Sequence, residues 1–222
     1  MKKSNNLEII TGLFVAVLII SNIVSTKILI FGPFTFDGGT LIFPLTYIFG
    51  DILTEVYGYS NSRRIIWIGF LSCLLMSVTF FIVGILPSSP DWKNQDSYNL
   101  ILGVTPRIVL ASLIAYLFGE FSNSFVLSKM KLISNGKHLY MRTISSTIIG
   151  QIFDTGLFVF IAFLGMFPIF TLFAIAISNY IFKVLIEALM TPVTYKVVGY
   201  LKKSDEIDAF DSGISYNPFS IK

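Results

Sequence analysis

The stretch "TISSTIIGQIFDTGLFVFIAFLGMFPIFTLFAIAISNYIF", residues 143–182, contains a single acid, Asp154, and no base. As one helix its roughly 40 residues would be on the order of 60 Å long, twice the ~30 Å hydrocarbon thickness of a bilayer. Gly165 and Pro168 stand near its middle and mark a tight turn. The stretch is therefore read as two membrane spans, Met141–Phe163 and Ile169–Tyr195. Working outward, four more segments have the length and composition of spans: Leu7–Phe31, Leu41–Tyr57, Ile65–Leu86 and Pro106–Leu127. The fold class expected is all-α, a polytopic membrane protein with a six-helix bundle.

Composition points the same way. Hydrophobic residues make up 54% of the 222 positions, charged residues 13%, and the mean hydropathy is +0.77. A soluble domain carries about 25% charged residues, so this chain lacks the surface to live in water. The N-terminal apolar run is too long for a signal peptide, and no small-residue cleavage site follows it cleanly; it is taken as the first span. Lysines and arginines set the orientation. Lys2 and Lys3 precede span one, Arg63 and Arg64 follow span two, Lys129, Lys131 and Lys137 follow span four, and Lys196, Lys202 and Lys203 follow span six. The alternate loops "GPFTFDGG" and "GMFP" contain no basic residue, and "PSSPDWKNQDSYN" has only Lys93. Both termini are expected in the cytoplasm of a multi-pass protein of the inner membrane. Residues 1–200 form the expected transmembrane domain and 201–222 a mobile cytoplasmic tail. The net charge of +3 is explained by these loops, not by a nucleic-acid partner.

Helical spacing gathers the polar residues into stripes. Span two aligns Pro44, Tyr47, Asp51, Glu55 and Gly58; span four aligns Ser112, Tyr116, Gly119, Glu120 and Asn123. Span five collects Thr143, Thr147, Gly150, Gln151 and Asp154, span six Asn179, Lys183, Glu187 and Thr191, and span one offers Asn22. At ~1.5 Å per residue, Asp51 and Gln151 fall near the bilayer midplane, with Asp154, Glu120 and Lys183 within a turn or two of them. Carboxylates at that depth cost about 2.5–3.5 kcal/mol each, and several helices aiming polar groups at one level describe a binding cavity. Simpler readings stay open. Lys183 and Glu187 at i,i+4 can neutralise each other. Lys27, Arg107 and Arg142 can snorkel to the interface. Gln151 can join helices, and Glu55 can pair with Arg63 or Arg64.

The chemistry available is narrow. No GxxxxGK[ST] nucleotide loop occurs. The one histidine, His138, lies in a loop and the one cysteine, Cys73, is a packing residue, so neither a metal site nor another cofactor is expected. Gated passage needs binding groups at mid-depth but no nucleophile, which makes a transporter the leading reading. A substrate-capturing subunit with an energising partner and an intramembrane enzyme are the alternatives.

Four motifs carry a resemblance: "SNIVSTKI" (21–28), "GGTLIFPLTYIFGDILTEVYGY" (38–59), "FGEFSNSFVLSKMK" (118–131) and "RTISSTIIGQIFDTGLFVFIAFLG" (142–165). Together they resemble the queuosine precursor transporters, formerly grouped as vitamin uptake transporters. The resemblance implies import of a small-molecule 7-deazaguanine (the cyano or aminomethyl precursor, or queuine) destined for transfer RNA. In such a base, N1–H and the 2-amino group lie beside the acceptor O6. One carboxylate, Asp51 or Asp154, can accept both donors, and Gln151, Asn123 or Lys183 can donate to O6. Glu55 or Glu120 can receive an aminomethyl cation, and Tyr47 or Tyr116 can stack on the ring. Asn22 and Glu187 complete the candidate set. A proton is a plausible coupling ion for midplane carboxylates.

Overall fold

A computed structural model of the chain describes residues 5–31, 34–103, 106–166 and 168–220. Lys2 and Lys3, used above for orientation, lie outside the described residues, as do Gly32 and Pro33 of the first outer loop and the last two residues of the tail. Helix α1 (Asn5–Val24) leads into a hairpin of β1 (Ile28–Phe31) and β2 (Phe34–Asp37), antiparallel with Ile28 opposite Asp37. A 3₁₀ turn, Gly38–Leu41, connects to α2 (Pro44–Ile52), which continues as a π-helical segment, Leu53–Tyr57. Then follow α3 (Tyr59–Ile85), α4 (Gln95–Leu102), α5 (Pro106–Ile133), α6 (Leu139–Phe163) and α7 (Ile169–Asp205).

Among the described residues, α1, α3, α5, α6 and α7 are long and apolar enough to cross a membrane. The expected span Leu41–Tyr57 is built from short pieces: a 3₁₀ turn, nine α-helical residues, then π geometry. Pro44 starts α2, where a missing N–H costs nothing. Gly58, at φ +84°, ends the π segment and turns the chain into α3. Span one also ends earlier than its hydropathy implies, because Ile28–Phe31 pairs as a strand. Gly165, at φ +85°, and Pro168 make the turn expected between α6 and α7.

The bundle is apolar outside, as suits a protein solvated by lipid, and inside it holds both an apolar core, with Phe14, Leu18, Ile52 and Ile66 in it, and a polar seam. On α3, nothing beyond Cys73 is buried, while Leu75, Phe81 and Ile85 face outward. On α6 the buried positions recur every three or four residues and are mostly polar: Arg142, Thr143, Ser146, Thr147, Gly150, Gln151, Asp154 and Thr155. α5 answers with Tyr116, Gly119, Glu120, Asn123, Ser124 and Ser128. These two helices pack against each other through glycine. A Cβ on Gly150 would stand 2.9 Å from the Asn123 Cβ and 3.0 Å from the Gly119 carbonyl oxygen.

Both ends of the described chain meet at one end of the bundle, where the Asn6 amide donates to Asp205 and Ser204. We call this the basal end. The sequence boundary at Leu201 falls inside α7, whose 37 residues span about 55 Å and outrun the hydrocarbon layer. Residues 206–220, expected as a mobile tail, make specific contacts: Asp211 is buried, and Arg63 and Trp67 bond to tail carbonyls. Hydropathy could not register this docking, which rests on side-chain to main-chain bonds. At the opposite end α4 folds back on α3, with Gln95 donating to the Gly84 carbonyl.

Candidate functional site

Two polar clusters lie inside the bundle, one at mid-depth and one at the basal end. The mid-depth cluster draws on four helices. Asp51 of α2 accepts a 2.7 Å hydrogen bond from the Asn123 amide of α5 on Oδ1. Asp154 of α6 accepts from Lys183 of α7 at 2.8 Å. The Lys183 ammonium also lies 4.5 Å from the centre of the Phe43 ring, a cation–π contact. Tyr47 of α2, Glu120 of α5 and Glu187 of α7 are buried in the same region. Gln151 is buried beside them and accepts from Thr155 within its own helix.

Much of this cluster is unsatisfied. Tyr47 Oη, Asp51 Oδ2, both Glu120 oxygens, Asn123 Oδ1, Thr147 Oγ1 and both Glu187 oxygens are buried without a hydrogen-bond partner among the described residues. Buried polar atoms are normally paired, and each orphan costs about 1–3 kcal/mol. A concentration of such atoms is how a protein looks where polar groups are reserved for something other than stability. One consequence is measurable. Glu120 packs so closely on Gly50 that a Cβ there would come within 2.8 Å of Oε2. Glu120→Met, similar in volume and without buried oxygens, should therefore raise unfolding stability by about 1–3 kcal/mol. Unfolding of the purified protein in detergent checks this; a loss of stability would mean that Glu120 has structural partners after all.

The glycines make the cluster possible. A Cβ on Gly119 would lie 2.7 Å from both the Asp154 Cβ and the Tyr47 hydroxyl. Only glycine lets α5 and α6 approach closely enough to hold Asp154 and Tyr47 side by side.

Glu55 belongs elsewhere. Despite i,i+4 spacing from Asp51, it enters the basal cluster. Arg142 of α6 donates to both its carboxylate oxygens, Lys202 of α7 donates at 2.7 Å, and the Lys131 ammonium of α5 lies 3.5 Å away. The two acids share a face, but Glu55 lies about one helical turn nearer the basal end, and that step places it among Arg142, Lys131 and Lys202. Between the clusters, Thr54 links Ser62 and Ser124 by hydroxyl contacts of 2.8 and 3.1 Å.

The other open readings resolve individually. Lys183 pairs across to Asp154, not along its helix with Glu187. Arg142 is buried at 1% exposure and does not snorkel; it also donates to the Lys137 and Gly136 carbonyls, anchoring the α5–α6 loop. Arg107 caps the end of α6 by donating to the Ile161 and Leu164 carbonyls. Asn22 lies apart from the acids, where it accepts from Ser112 and donates to the Leu18 carbonyl. The Tyr116 hydroxyl donates to the Ile66 carbonyl and so packs against α3.

Nothing in the sequence marks Lys131, Lys202 and Asp208 as members of the basal cluster, in which Lys131 is buried and Asp208 half-exposed. Lys131 and Lys202 counted only as loop charges, and nothing local says that α5 and α7 carry them inward. Burial pushes the Asp208 carboxyl upward, but hydrogen bonds from Lys131 and Lys202 outweigh it and hold the group below its usual value. A lowered folded-state value means that the interaction is present above the ordinary ~3.9 and is lost only as pH falls through the depressed value. Among the described residues no group of His, Cys, Asp and Glu could hold a metal ion.

Comparison with known proteins shows what the chain is similar to. A family profile described as "Putative vitamin uptake transporter" matches residues 37–197. A protein of Bacillus subtilis named "Probable queuosine precursor transporter" is 32% identical over 161 residues, covering 71% of this chain and 69% of the relative. The "Queuosine precursor transporter" of Escherichia coli is 27% identical over 166 residues, covering 72% and 71%. A Haemophilus influenzae protein with the same name as the Bacillus relative is 25% identical over 163 residues, covering 72% and 67%. No solved structure matches the chain significantly.

Proposed function

The chain belongs to the queuosine precursor transporter family, and from that premise we propose that it imports a 7-deazaguanine base across the cytoplasmic membrane. The candidates are 7-cyano-7-deazaguanine, 7-aminomethyl-7-deazaguanine and queuine. The protein is a transporter, not an enzyme. It is read as one six-span domain, the broken second segment counted as a span, with the basal end and both termini facing the cytoplasm. Arg63, Arg64, Lys129, Lys131, Lys196 and Lys202 all favour that orientation.

The observation that carries the site assignment is the mid-depth set of carboxylates and amides with unpartnered oxygens. Asp51 and Asp154 are the acceptors for the paired N–H donors of a guanine edge. Gln151, Asn123 and Lys183 are the donors for O6. Glu120 and Glu187, with their free oxygens, suit the aminomethyl cation. Their excess over the single cation Lys183 favours that base over the neutral cyano form, and makes a proton the natural coupling ion. Tyr47 is the stacking ring. Glu55, held by three cations, is assigned to the bundle's closure and not to substrate.

Queuosine content of transfer RNA tests the reading in cells unable to make deazaguanines and fed low external precursor. The protein should restore queuosine. Asp51→Asn and Asp154→Asn should each cut uptake about 10- to 100-fold, the value of a charge-assisted hydrogen bond. Unchanged uptake by both variants, correctly inserted, would remove the site assignment; no restoration with any of the three bases would remove the substrate. The second reading, a binding subunit with an energising partner, draws on the exposed Gly12 and Ala16 face of α1. Transport by the purified chain alone in liposomes would exclude it.

A further inference from the structure

At the basal end, span two finishes in four carbonyls that need partners from outside its helix. Thr54 accepts from the Gly58 amide and Tyr57 from Asn61. The Val56 carbonyl accepts the Ala209 N–H at 3.1 Å, and the Glu55 carbonyl accepts from the Lys131 ammonium at 2.6 Å. Lys131 in turn donates to Asp208 and to the Ala209 carbonyl. Residues of the tail thus satisfy one helix-end carbonyl directly and hold the lysine that satisfies another.

The same tail caps the next helix. The Tyr59 N–H, at the start of α3, donates to both carboxylate oxygens of Asp211, at 3.1 and 2.9 Å. Asp211 fills the place of an N-cap although it is far away in sequence. Gly58 has to be glycine twice over: for its φ of +84°, and because a Cβ there would lie 2.8 Å from Asp211 Oδ1. Further along α3, at four-residue intervals, Arg63 donates to the Ser215 and Asn217 carbonyls and Trp67 to that of Pro218. Ser128 of α5 donates to Asp211, and Lys129 of α5 sits 4.0 Å from the Tyr216 ring centre. From α7, Lys202 pairs with Asp208 at 2.9 Å.

One tail therefore ties together span two, α3, α5 and α7 at the only end where their helices share a charged cluster among the described residues. It does so mainly through hydrogen bonds and ion pairs, which water can replace; its apolar contacts are partial, with Ile207 half-buried against the core, Tyr216 against Tyr59 and Phe125, and the exposed Phe219 against Trp67. Asp208 also completes the charge balance. Without it, Arg142, Lys131 and Lys202 face the single carboxylate of Glu55. We propose that residues 206–220 are a strap that holds the bundle shut at this end, and that its release from span two and α3 opens the interior to the cytoplasm. The inference rests on the reading of the polar interior as the passage.

The test uses accessibility and needs no substrate, so its failure is separable from failure of the uptake assignment. In full-length Cys73→Ser protein, Thr147→Cys places a reporter thiol on the buried polar stripe of α6. A membrane-impermeant maleimide is applied from each face in oriented vesicles. Asp208→Asn combined with Asp211→Asn should speed labelling from the basal face about tenfold, by shifting the closed–open equilibrium, and leave labelling from the other face unchanged. Equal rates with and without the two substitutions would overturn the strap, and so would equal acceleration from both faces, which signals general loosening. Should the double variant fail to fold, Asp208→Asn alone, at a half-exposed position, decides in the same way.

Discussion

Glu55→Met is expected to destabilise the protein by about 3–5 kcal/mol, the cost of leaving buried charge uncompensated. The reason is the asymmetry of its cluster. Arg142, Lys202 and Lys131 converge on this one carboxylate, which is 1% exposed. Remove any one cation and Glu55 keeps two. Remove Glu55 and three cations are left with Asp208, whose side chain is half in solvent. Arg142→Met should accordingly cost less than Glu55→Met, even though Arg142 also holds the Gly136 and Lys137 carbonyls. An isolated buried pair behaves differently, because replacing both partners by apolar residues often restores stability. Here the double variant should recover only part of the Glu55→Met loss, since Lys131 and Lys202 are then left with the half-exposed Asp208 as their one counter-ion. Unfolding midpoints of the three variants in detergent measure this. Full recovery in the double variant would reduce the cluster to a simple Arg142–Glu55 bridge.

Why does the sequence not reveal which cations meet Glu55? Hydropathy and helical spacing describe one helix at a time. They located five long helices well: the expected 141–163 and 169–195 became Leu139–Phe163 and Ile169–Asp205. They also found the polar face of each helix, so Asp51, Asn123, Gln151 and Asp154 are buried where the stripes implied. What spacing cannot supply is the partner on another helix. Lys183 and Glu187 look like a neutral pair on α7, yet Lys183 reaches Asp154 on α6. Arg142, near a span end, has the profile of a snorkelling residue, and its burial shows only in the tertiary structure, where it meets Glu55 of the π segment and the Gly136 and Lys137 carbonyls. The π segment was hidden because Leu53–Tyr57 has no composition that distinguishes it from α-helix. The hairpin after α1 was hidden because Ile28–Phe31 is as apolar as the helix before it. Glycine, in contrast, was legible as part of the polar stripes but not as a spacer.

That spacer role gives the second large effect. Gly119→Val and Gly150→Val should each lower stability by at least the upper end of the ~1–3 kcal/mol typical of overpacking, because the obstructing atoms have nowhere to go. Opposite Gly150 stand the Asn123 Cβ and the Gly119 carbonyl; opposite Gly119 stand the Asp154 Cβ and the Tyr47 hydroxyl. Two of these atoms are Cβ and one is backbone, so relief requires α5 and α6 to part. Tyr47 and Asp51 share α2, so parting α5 from α6 must separate Asn123 from Asp51 or Asp154 from Tyr47, and uptake should fall even in molecules that remain folded. Gly156 is the internal control. It lies on the same helix, but a Cβ there meets nothing within 4 Å. Gly156→Ala should be neutral or stabilising by up to about 1 kcal/mol, through helix propensity alone. If Gly156→Ala were as damaging as Gly150→Val, glycine would matter to α6 for its flexibility and not for the close approach of α5. If Gly150→Val kept full stability and uptake, the two helices would not be held at the distance that brings the mid-depth acids together.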